Sequence, residues 1–208
     1  MNRKSICFFM MMALIIACAS SALADRVGTA DSVTTGQVTG GSGNVYVKVQ
    51  ATVQASPVYC FYSFFMRDHM WTASAEEKQQ LEENFRTGKE TYQYQGIWGY
   101  AELAKTDWNM PVYRFWNKKT TDHFYTTSDS EKEQLEKDLK SGKDNYVYEG
   151  IAWYVPQFSD YPVYRFFDTA SFNHYYTDDA QLKESLSKEY LAGTGTYRYE
   201  GVAWYWYK

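Results

Sequence analysis

Three histidines, the only ones in the chain, recur at one position of a repeated pattern. His69, His123 and His174 are 54 and 51 residues apart. If equivalent positions of a threefold assembly form a tight ring, three imidazoles would make a zinc site with one open coordination position. The competing interpretation is structural, with each imidazole making one local hydrogen bond beside the Asp or Asn that precedes it. The spacing gives a ring but not its radius, so both interpretations stand.

Catalytic motifs of known mechanism do not occur in the chain. There is no nucleophile elbow, no His-Glu-x-x-His and no glycine-rich phosphate loop ahead of a helix. Most carboxylates fall on predicted helices, at spacings typical of a solvated face. The sequence therefore predicts that the protein is not an enzyme, with no catalytic residue and no cofactor, and it favours no bound metal.

Aromatic side chains are the other group that could bind a ligand. Residues 45–208 contain 37 aromatics, more than a core of this size is expected to enclose fully. Exposed Tyr and Trp beside polar groups suit stacking on sugar rings, because the C–H face of a sugar is apolar and its hydroxyls need polar partners. The candidate ligand-binding residues lie at or beside the histidines and in the last strands of the later repeats: Trp71, Tyr125, Tyr176, His69, His123, His174, Trp153 and Trp204.

All of these residues belong to three copies of one unit, which start at Pro57, Pro111 and Pro162. Without a gap, 44 aligned positions carry 13 residues that are identical in all three copies. Each copy opens with Pro-Val-Tyr-x-Phe and closes on Tyr-x-Tyr-x-Gly. One such unit cannot bury its own apolar face, so the three copies must pack together.

Each copy reads as strand, strand, helix, strand. Two runs rich in β-forming residues are separated by a polar turn, and a capping residue then opens about three helical turns. The expected N-caps are Ser74, Ser128 and Asp179, and in the first two copies a Glu three residues later completes a capping box. The expected glycines at the helix ends are Gly88, Gly142 and Gly193. Gly150, inside the last strand of the second copy, predicts a bulge or a close backbone approach.

The predicted fold class is mainly β, with one short helix per repeat. Closing three repeats into a pseudo-threefold assembly would remove exposed strand edges. A β-trefoil-like domain and, as the alternative, a three-bladed propeller are both compatible with this pattern.

Two ion pairs are expected from residues that the first copy lacks. Cys60 and Gln95 stand where both later copies carry an Arg and a Glu. Because the Arg and the Glu are lost together, we expect them to contact each other within a repeat. The expected structural pairs are Arg114 with Glu149 and Arg165 with Glu200.

The segments Pro111-Val-Tyr-Arg-Phe-Trp-Asn, Asp122-His-Phe-Tyr-Thr-Thr and Tyr148-Glu-Gly-Ile-Ala-Trp-Tyr-Val carry a family resemblance. Residues 57 to 208 resemble a secreted repeat family of unknown function whose units read VYRFYN, HFYT and YEGIAWY, and which is often appended to extracellular hydrolases. The resemblance is specific for copies two and three. It implies an accessory, ligand-binding module and supplies no catalytic residue. Because the first copy departs from the pattern, we expect its site to be the weakest.

The N-terminus predicts export. Residues 1–24 have the layout of a signal peptide, with basic Arg3 and Lys4, a short apolar run and a final Ala-Leu-Ala. The alternative is a lipobox, in which Cys18 would carry a lipid and anchor the protein to a membrane. No other stretch is apolar enough for a membrane span. Residues 25–44 are expected to be a flexible linker, since 11 of the 20 are Gly, Ser or Thr. One domain, 45–208, would hold the repeats 57–110, 111–161 and 162–208.

Charge argues against a nucleic-acid partner, and cysteine content argues against a disulfide. The full chain has a net charge of −4, and removal of two of its 21 basic residues with the signal leaves 19 against 25 acidic ones, or −6. Such a chain lacks the basic surface that nucleic acids attract. After cleavage only Cys60 remains, which excludes an intramolecular disulfide.

Together these features predict a secreted, extracellular and non-catalytic binding module for carbohydrate or a surface glycan. The alternative is a purely structural or protein-interaction domain of the cell surface.

Overall fold

The computed structural model describes residues 30–38, 45–53 and 55–207, with side chains over 55–207. The predicted signal peptide and the candidate lipid attachment site at Cys18 lie outside the described residues. The described chain is mainly β, with eleven strands and three helices. The prediction of a mainly β protein with one short helix per repeat is therefore confirmed.

The first two strands form a hairpin-like antiparallel pair ahead of the repeats. Strand β1 (Ala30–Val38) pairs with β2 (Val45–Val53), in a register that runs from Ala30 opposite Val53 to Val38 opposite Val45. Residues 30–38 fall in the segment expected to be a flexible linker, and they are a strand in the structure. Their Val and Thr residues favour extended backbone, and the alternating pattern of β2 supplies a partner.

Each repeat forms one three-stranded antiparallel sheet, and its first strand lies in the centre. The first sheet has β3 (Ser56–Ser63) between β4 (Asp68–Thr72) and β5 (Tyr92–Ala101). The second has β6 (Asn109–Asn117) between β7 (Asp122–Thr126) and β8 (Tyr146–Pro156). The third has β9 (Pro162–Asp168) between β10 (His174–Thr177) and β11 (Tyr197–Tyr205).

A helix of three turns connects the second and third strands of each repeat. These helices are α1 (Ala75–Arg86), α2 (Asp129–Lys140) and α3 (Ala180–Leu191). Each begins at its expected N-cap: the Ser74 hydroxyl accepts from the Glu77 amide at 3.1 Å, and Ser128 and Asp179 act in the same way. Left-handed glycines follow the last turns at Gly88, Gly142 and Gly193. These local structures agree with the sequence pattern.

The second half of the capping box is replaced by a different contact. The backbone N–H of Ser74 donates to the Thr72 hydroxyl at 3.0 Å, not to the Glu77 carboxylate. Ser128 and Asp179 donate to equivalent threonines. A threonine two residues before each cap thus satisfies the amide, and this frees the Glu77 side chain for a contact outside its own repeat.

The last strand of every repeat is bulged at its glycine. Gly96, Gly150 and Gly201 have φ angles of 119°, 121° and 115°, which L side chains rarely adopt. In the second sheet Arg114 pairs with Gly150 and Phe115 pairs with Tyr148, so the residue between them is left out of the ladder. A bulge redirects the extra side chain, and here that residue is Glu149.

The three sheets do not join into a closed barrel within the described residues. Isolated bridges connect them instead, from Tyr100 to Tyr207 and from Glu102 to Tyr154. Packing between repeats is carried by aromatics at one shared repeat position: ring centroids of Trp71 and Tyr125 lie 5.2 Å apart, those of Tyr125 and Tyr176 5.9 Å, and those of Trp71 and Tyr176 5.3 Å. Edge-to-face contacts of this kind stabilise a core beyond simple area burial.

The first repeat departs from the others where it meets the residue that follows the last strand of the third. Trp98 stacks on Trp71 at 4.6 Å, and its neighbour Gly99 faces Trp206. A Cβ added at Gly99 would lie 2.4 Å from the Trp206 ring, so only glycine fits there. A tryptophan of the third repeat therefore packs directly on the backbone of the first.

Among the described residues no helix has the length and apolar content that crossing a membrane requires.

Candidate functional site

The histidines lie at the contacts between consecutive repeats, and we name these contacts by the repeats they join. Junction 1–2 contains Asp68, Tyr92 and His123. Junction 2–3 contains Asp122, Tyr146 and His174. Junction 3–1 contains Asn173, Tyr197 and His69. The three residues hold the same repeat positions at every junction, so the chemistry of the three can be compared directly.

At junction 1–2 a buried carboxylate binds the histidine of the next repeat. Asp68 Oδ1 accepts from the His123 backbone N–H at 3.1 Å, and Oδ2 lies 2.6 Å from His123 Nδ1. The Tyr92 hydroxyl donates to the same Oδ2 at 2.6 Å. The histidine thus makes a structural hydrogen bond, but with the aspartate of the preceding repeat and not with its own neighbour in the chain.

Junction 2–3 repeats this geometry. Asp122 Oδ1 accepts from the His174 backbone N–H at 2.7 Å, and Oδ2 lies 2.6 Å from His174 Nδ1. The Tyr146 hydroxyl donates to Asp122 Oδ2. Burial raises the pKa of Tyr92 and Tyr146, and the charge of the bound carboxylate raises it further. Both phenols therefore stay protonated and keep donating.

An arginine adds a second layer of contacts at each of these junctions. Arg114 makes a two-pronged contact with Glu77, with both N–O distances at 2.9 Å, and its Nε lies 2.8 Å from Glu149. Arg165 binds Glu131 at 2.7 and 3.0 Å and Glu200 at 3.0 Å. Both ion pairs expected from the sequence are present in the structure.

The third member of each ion network was not predicted from the sequence. Glu77 belongs to α1 of the first repeat, and Arg114 belongs to the second, so the arginine connects two repeats. Leu182 occupies the equivalent helix position in the third repeat, and its partner position in the first holds Cys60. The helix glutamate and its arginine partner are thus both replaced at junction 3–1, and this shared replacement could have predicted the contact from the sequence. Burial alone would raise the pKa of Glu77, but the hydrogen bond and charge of Arg114 outweigh it, so the pKa is lowered.

Acids flank both sides of the imidazoles at these two junctions. His123 Nε2 lies 4.0 Å from Glu149, and His174 Nε2 lies 3.6 Å from Glu200. Each ring therefore lies between an aspartate of the preceding repeat and a glutamate of its own repeat. The hydrogen bond with the aspartate holds the ring in place and engages Nδ1.

Junction 3–1 has lost every charged member of this arrangement. Uncharged side chains hold the positions of the aspartate, the arginine and the two glutamates: Asn173, Cys60, Gln95 and Leu182. Asn173 Nδ2 donates to the Met66 and Arg67 carbonyls at 3.2 and 3.4 Å. Asn173 Oδ1 is buried without a hydrogen-bond partner in the part of the chain that the structure describes. Unlike the aspartates, Asn173 does not bind the tyrosine and histidine of its junction.

A series of aromatic rings surrounds this uncharged junction, and we call it the third-junction aromatic surface: Tyr62, Phe64, His69, Tyr175 and Tyr197. Successive ring centroids lie 5.8, 4.6, 5.8 and 5.5 Å apart, in the order Phe64, Tyr62, His69, Tyr175, Tyr197. Phe64 is 52% exposed, the adjacent Phe65 is 86% exposed, and the other rings are half-buried. Within residues 55–207, neither the His69 ring nor the Tyr197 hydroxyl forms a hydrogen bond.

Five of the aromatics expected to bind a ligand are core residues. Trp71, Tyr125, Tyr176, Trp153 and Trp204 are at most 2% exposed. The Tyr125 hydroxyl donates to the Trp71 carbonyl at 3.0 Å and accepts from its amide at 2.9 Å, and the Tyr176 hydroxyl binds the Tyr125 backbone in the same way. The expectation that these rings are exposed is therefore wrong, because the repeats pack through them.

The three histidines do not meet. Each lies at a different junction and contacts different rings: His69 stacks on Trp71, while His123 and His174 make tilted contacts with Trp116 and Phe167. Over the residues that the structure describes, no group of three or more His, Cys, Asp or Glu side chains is placed to hold a metal ion. The alternative of a three-histidine metal site is thus contradicted by their positions.

Comparison with known proteins identifies a family. A model described as a domain of unknown function (DUF5648) matches residues 38–141 and, a second time, residues 136–208. Comparison with curated proteins and with solved structures gave no match. The two matches together span the three repeats. The chain belongs to the DUF5648 family.

Proposed function

We propose that the protein is an exported, non-catalytic module that binds carbohydrate at the third-junction aromatic surface. The observation that carries this proposal is the contrast in chemistry between equivalent junctions. At junctions 1–2 and 2–3 the His and Tyr groups are held by a buried carboxylate. At junction 3–1 the same His69 and Tyr197 lie among half-exposed rings with no such partner.

A sugar matches the groups at this surface. The Tyr62 and Phe64 rings offer apolar faces for its C–H side, at a site where Phe64 is half exposed. The His69 ring and the Tyr197 hydroxyl offer polar atoms for its hydroxyls. A few convergent polar groups between aromatic rings are typical of ligand sites. The predicted N-terminal signal supports an extracellular location, either soluble or, as the alternative, anchored by lipid at Cys18.

Other partly exposed tyrosines are less suited to stacking, because a lysine covers them. Lys78 Nζ lies 5.4 and 4.6 Å from the ring centroids of Tyr59 and Tyr94. The second and third repeats have the same arrangement around Lys132 and Lys183. An ammonium over a ring is a favourable cation–π contact, and a sugar would have to displace it. This repeated cluster supports locating the site at junction 3–1.

We also propose that the three repeats are arranged around a pseudo-threefold axis, in a β-trefoil-like manner. All three pairwise ring contacts among Trp71, Tyr125 and Tyr176 support this arrangement, since residues at one repeat position meet only near such an axis. Because the axis relates the three junctions, their residues can be compared position by position. Only junction 3–1 lacks the charged side chains.

Retention on insoluble glycans and a glycan array would test the proposed function. We expect Phe64→Ala with Phe65→Ala to reduce retention at least tenfold, because stacking of a sugar on an aromatic ring contributes about 1 kcal/mol or more. Both residues are exposed, so the variant should fold. Phe158→Ala is the matched control, since Phe158 is 73% exposed and lies outside the surface. Equal retention of all three proteins would remove junction 3–1 as the site.

The second candidate function is a structural or protein-interaction domain of the cell surface. It is favoured by exposed aromatics outside the proposed site, since Trp108 and Phe158 are both 73% exposed. Exposed aromatics are also typical of protein interfaces. A wild-type protein that is retained by no glycan would favour this alternative over the sugar-binding module.

A further inference from the structure

An unpaired cation lies beside the third-junction aromatic surface. Arg67 is exposed and forms no ion pair within the described residues. It is the last residue before β4, and its carbonyl accepts the hydrogen bond from Asn173. The equivalent positions in the other repeats hold Thr121 and Phe172, so only junction 3–1 has a guanidinium at this place.

The charge of Arg67 acts on two tyrosines of the surface. Burial raises the pKa of Tyr197 to about 12, and Arg67 acts against that rise. Burial also raises the pKa of Tyr62, and Arg67 again opposes it. The Arg67 backbone N–H donates to the Ser63 carbonyl at 2.8 Å, so Arg67 lies in the turn that connects the strands carrying Tyr62 and His69, which are paired with each other.

Nearby acids are already engaged elsewhere. Asp68, which also acts on Tyr62, is bound to His123 and Tyr92 at junction 1–2. Asp168, which acts on Tyr197, accepts from the Ser171 hydroxyl at 2.6 Å and from the Ala170 amide at 3.0 Å. The aspartate and both glutamates of the other junctions have uncharged replacements here. In a protein that is acidic overall, this surface therefore presents an exposed positive charge with no carboxylate paired to it.

We infer that the saccharide bound at junction 3–1 carries a carboxylate, as a uronic acid does. The sugar ring lies on the aromatic rings, and its carboxylate accepts two hydrogen bonds from the Arg67 guanidinium. A planar guanidinium matches a carboxylate in this two-pronged way, which an ammonium does not. This inference rests on the proposed function and names the ligand class for the same site.

A pair of polymers with one backbone provides the test. Polygalacturonate carries a carboxylate on every sugar, and its methyl ester has the same sugars without the charge. We expect the mature protein to be retained by polygalacturonate and to bind the methyl ester at least tenfold more weakly, since a charge-assisted hydrogen bond is typically worth that much. Retention should also fall as salt is raised, because the contact is exposed.

Two arginine variants make the test specific. Arg67→Gln should lose the preference for polygalacturonate and keep the weaker binding to the ester. Arg86→Gln is the control, because it removes the same charge from an arginine whose side chain is 72% exposed on α1. Equal binding of the two polymers, binding of neutral glycans alone on the array, or no effect of Arg67→Gln would overturn the inference and leave the sugar-binding module standing. Absence of binding to any acidic or neutral glycan would overturn both.

Discussion

Junctions 1–2 and 2–3 differ from junction 3–1 in how their polar groups are used. At the first two, an Asp binds a Tyr and a His while an Arg binds two Glu side chains, and these contacts hold one repeat against the next. At the third, four of those positions hold uncharged residues, and the remaining His69 and Tyr197 lie between half-exposed rings. The same fold thus has two junctions that are held by ion pairs and hydrogen bonds. At the third junction the His69 ring and the Tyr197 hydroxyl form no hydrogen bond within residues 55–207. The comparison indicates that the loss of an interaction network can create a candidate binding site.

The proposed site at junction 3–1 differs from an expectation drawn from the sequence. The first repeat lacks an Arg and a Glu, and on that basis its site was expected to be the weakest. In the structure Arg114 and Glu149 belong to a contact between repeats, so the uncharged replacements at junction 3–1 remove an ion network from that contact. The third-junction aromatic surface then combines residues from the first and third repeats.

The largest expected effect is the loss of the arginine at an intact junction. Arg114→Met leaves Glu77 and Glu149 partly buried without their cation, so we expect the free energy of unfolding to fall by about 2–3 kcal/mol. Arg67→Met, at the third junction, should change it by less than about 0.5 kcal/mol, because that side chain is exposed and unpaired. Urea denaturation measures both.

A variant that also removes the stranded acids provides the control for this prediction. Arg114→Met combined with Glu77→Gln and Glu149→Gln should recover part of the loss, because no uncompensated carboxylate remains. Additive effects of the three changes would show that the network does not couple the two repeats.

Removal of the tyrosine hydroxyl at each junction should have an effect of intermediate size on stability, and the three equivalent positions can be compared. Tyr92→Phe and Tyr146→Phe each remove a hydrogen bond to a buried carboxylate and should cost about 1.5 kcal/mol. Tyr197→Phe removes a hydroxyl with no hydrogen bond in the described chain, so its cost should stay within about 0.5 kcal/mol. Thermal or urea unfolding of the three variants gives the ranking. Equal costs at all three positions would contradict the proposed difference between junctions.

The smallest expected effect is a dependence of the free energy of unfolding on acidic pH, which arises from the glutamates at junctions 1–2 and 2–3. The pKa of Glu77 and that of Glu131 are lowered from the ordinary value of 4.5. A lowered pKa contributes stability that is complete above the ordinary value and is lost as the pH falls through the folded-state value. The free energy of unfolding should therefore decrease as the pH falls below about 4.5. Replacing both residues by Gln should flatten that decrease, and an unchanged slope would argue against their ion pairs.

Local structure could be predicted from the sequence where one residue determines it. The helix caps at Ser74 and Ser128, the left-handed Gly88 and the bulge at Gly150 follow from backbone preferences that need no tertiary context. The Arg114–Glu149 pair could be inferred because both residues are lost in the same copy. Each of these signals lies within one repeat or at one repeat position.

Contacts between repeats were harder to predict, because the chain does not indicate which faces meet. Tyr125 and Tyr176 were expected at the surface, but they lie in the core and bind the backbone of the preceding repeat. The partner of His123 is Asp68, which is 55 residues away, and not the adjacent Asp122. The alternation of aromatic and polar residues fixes a burial pattern along a strand, while the choice of partner depends on the placement of whole sheets.

The close contact between Trp206 and Gly99 has a consequence for how such a protein can change over evolutionary time. Open repeat arrays lengthen by duplication, because each new unit meets the same surface as the one before. Here Trp206, which directly follows the last strand of the third repeat, packs on a glycine that only the first repeat has, and the second and third have tryptophan at that position. An inserted fourth copy would separate two surfaces that fit only each other. This mutual fit thus fixes the number of repeats at three. Sequence change over evolution then occurs within the individual repeats.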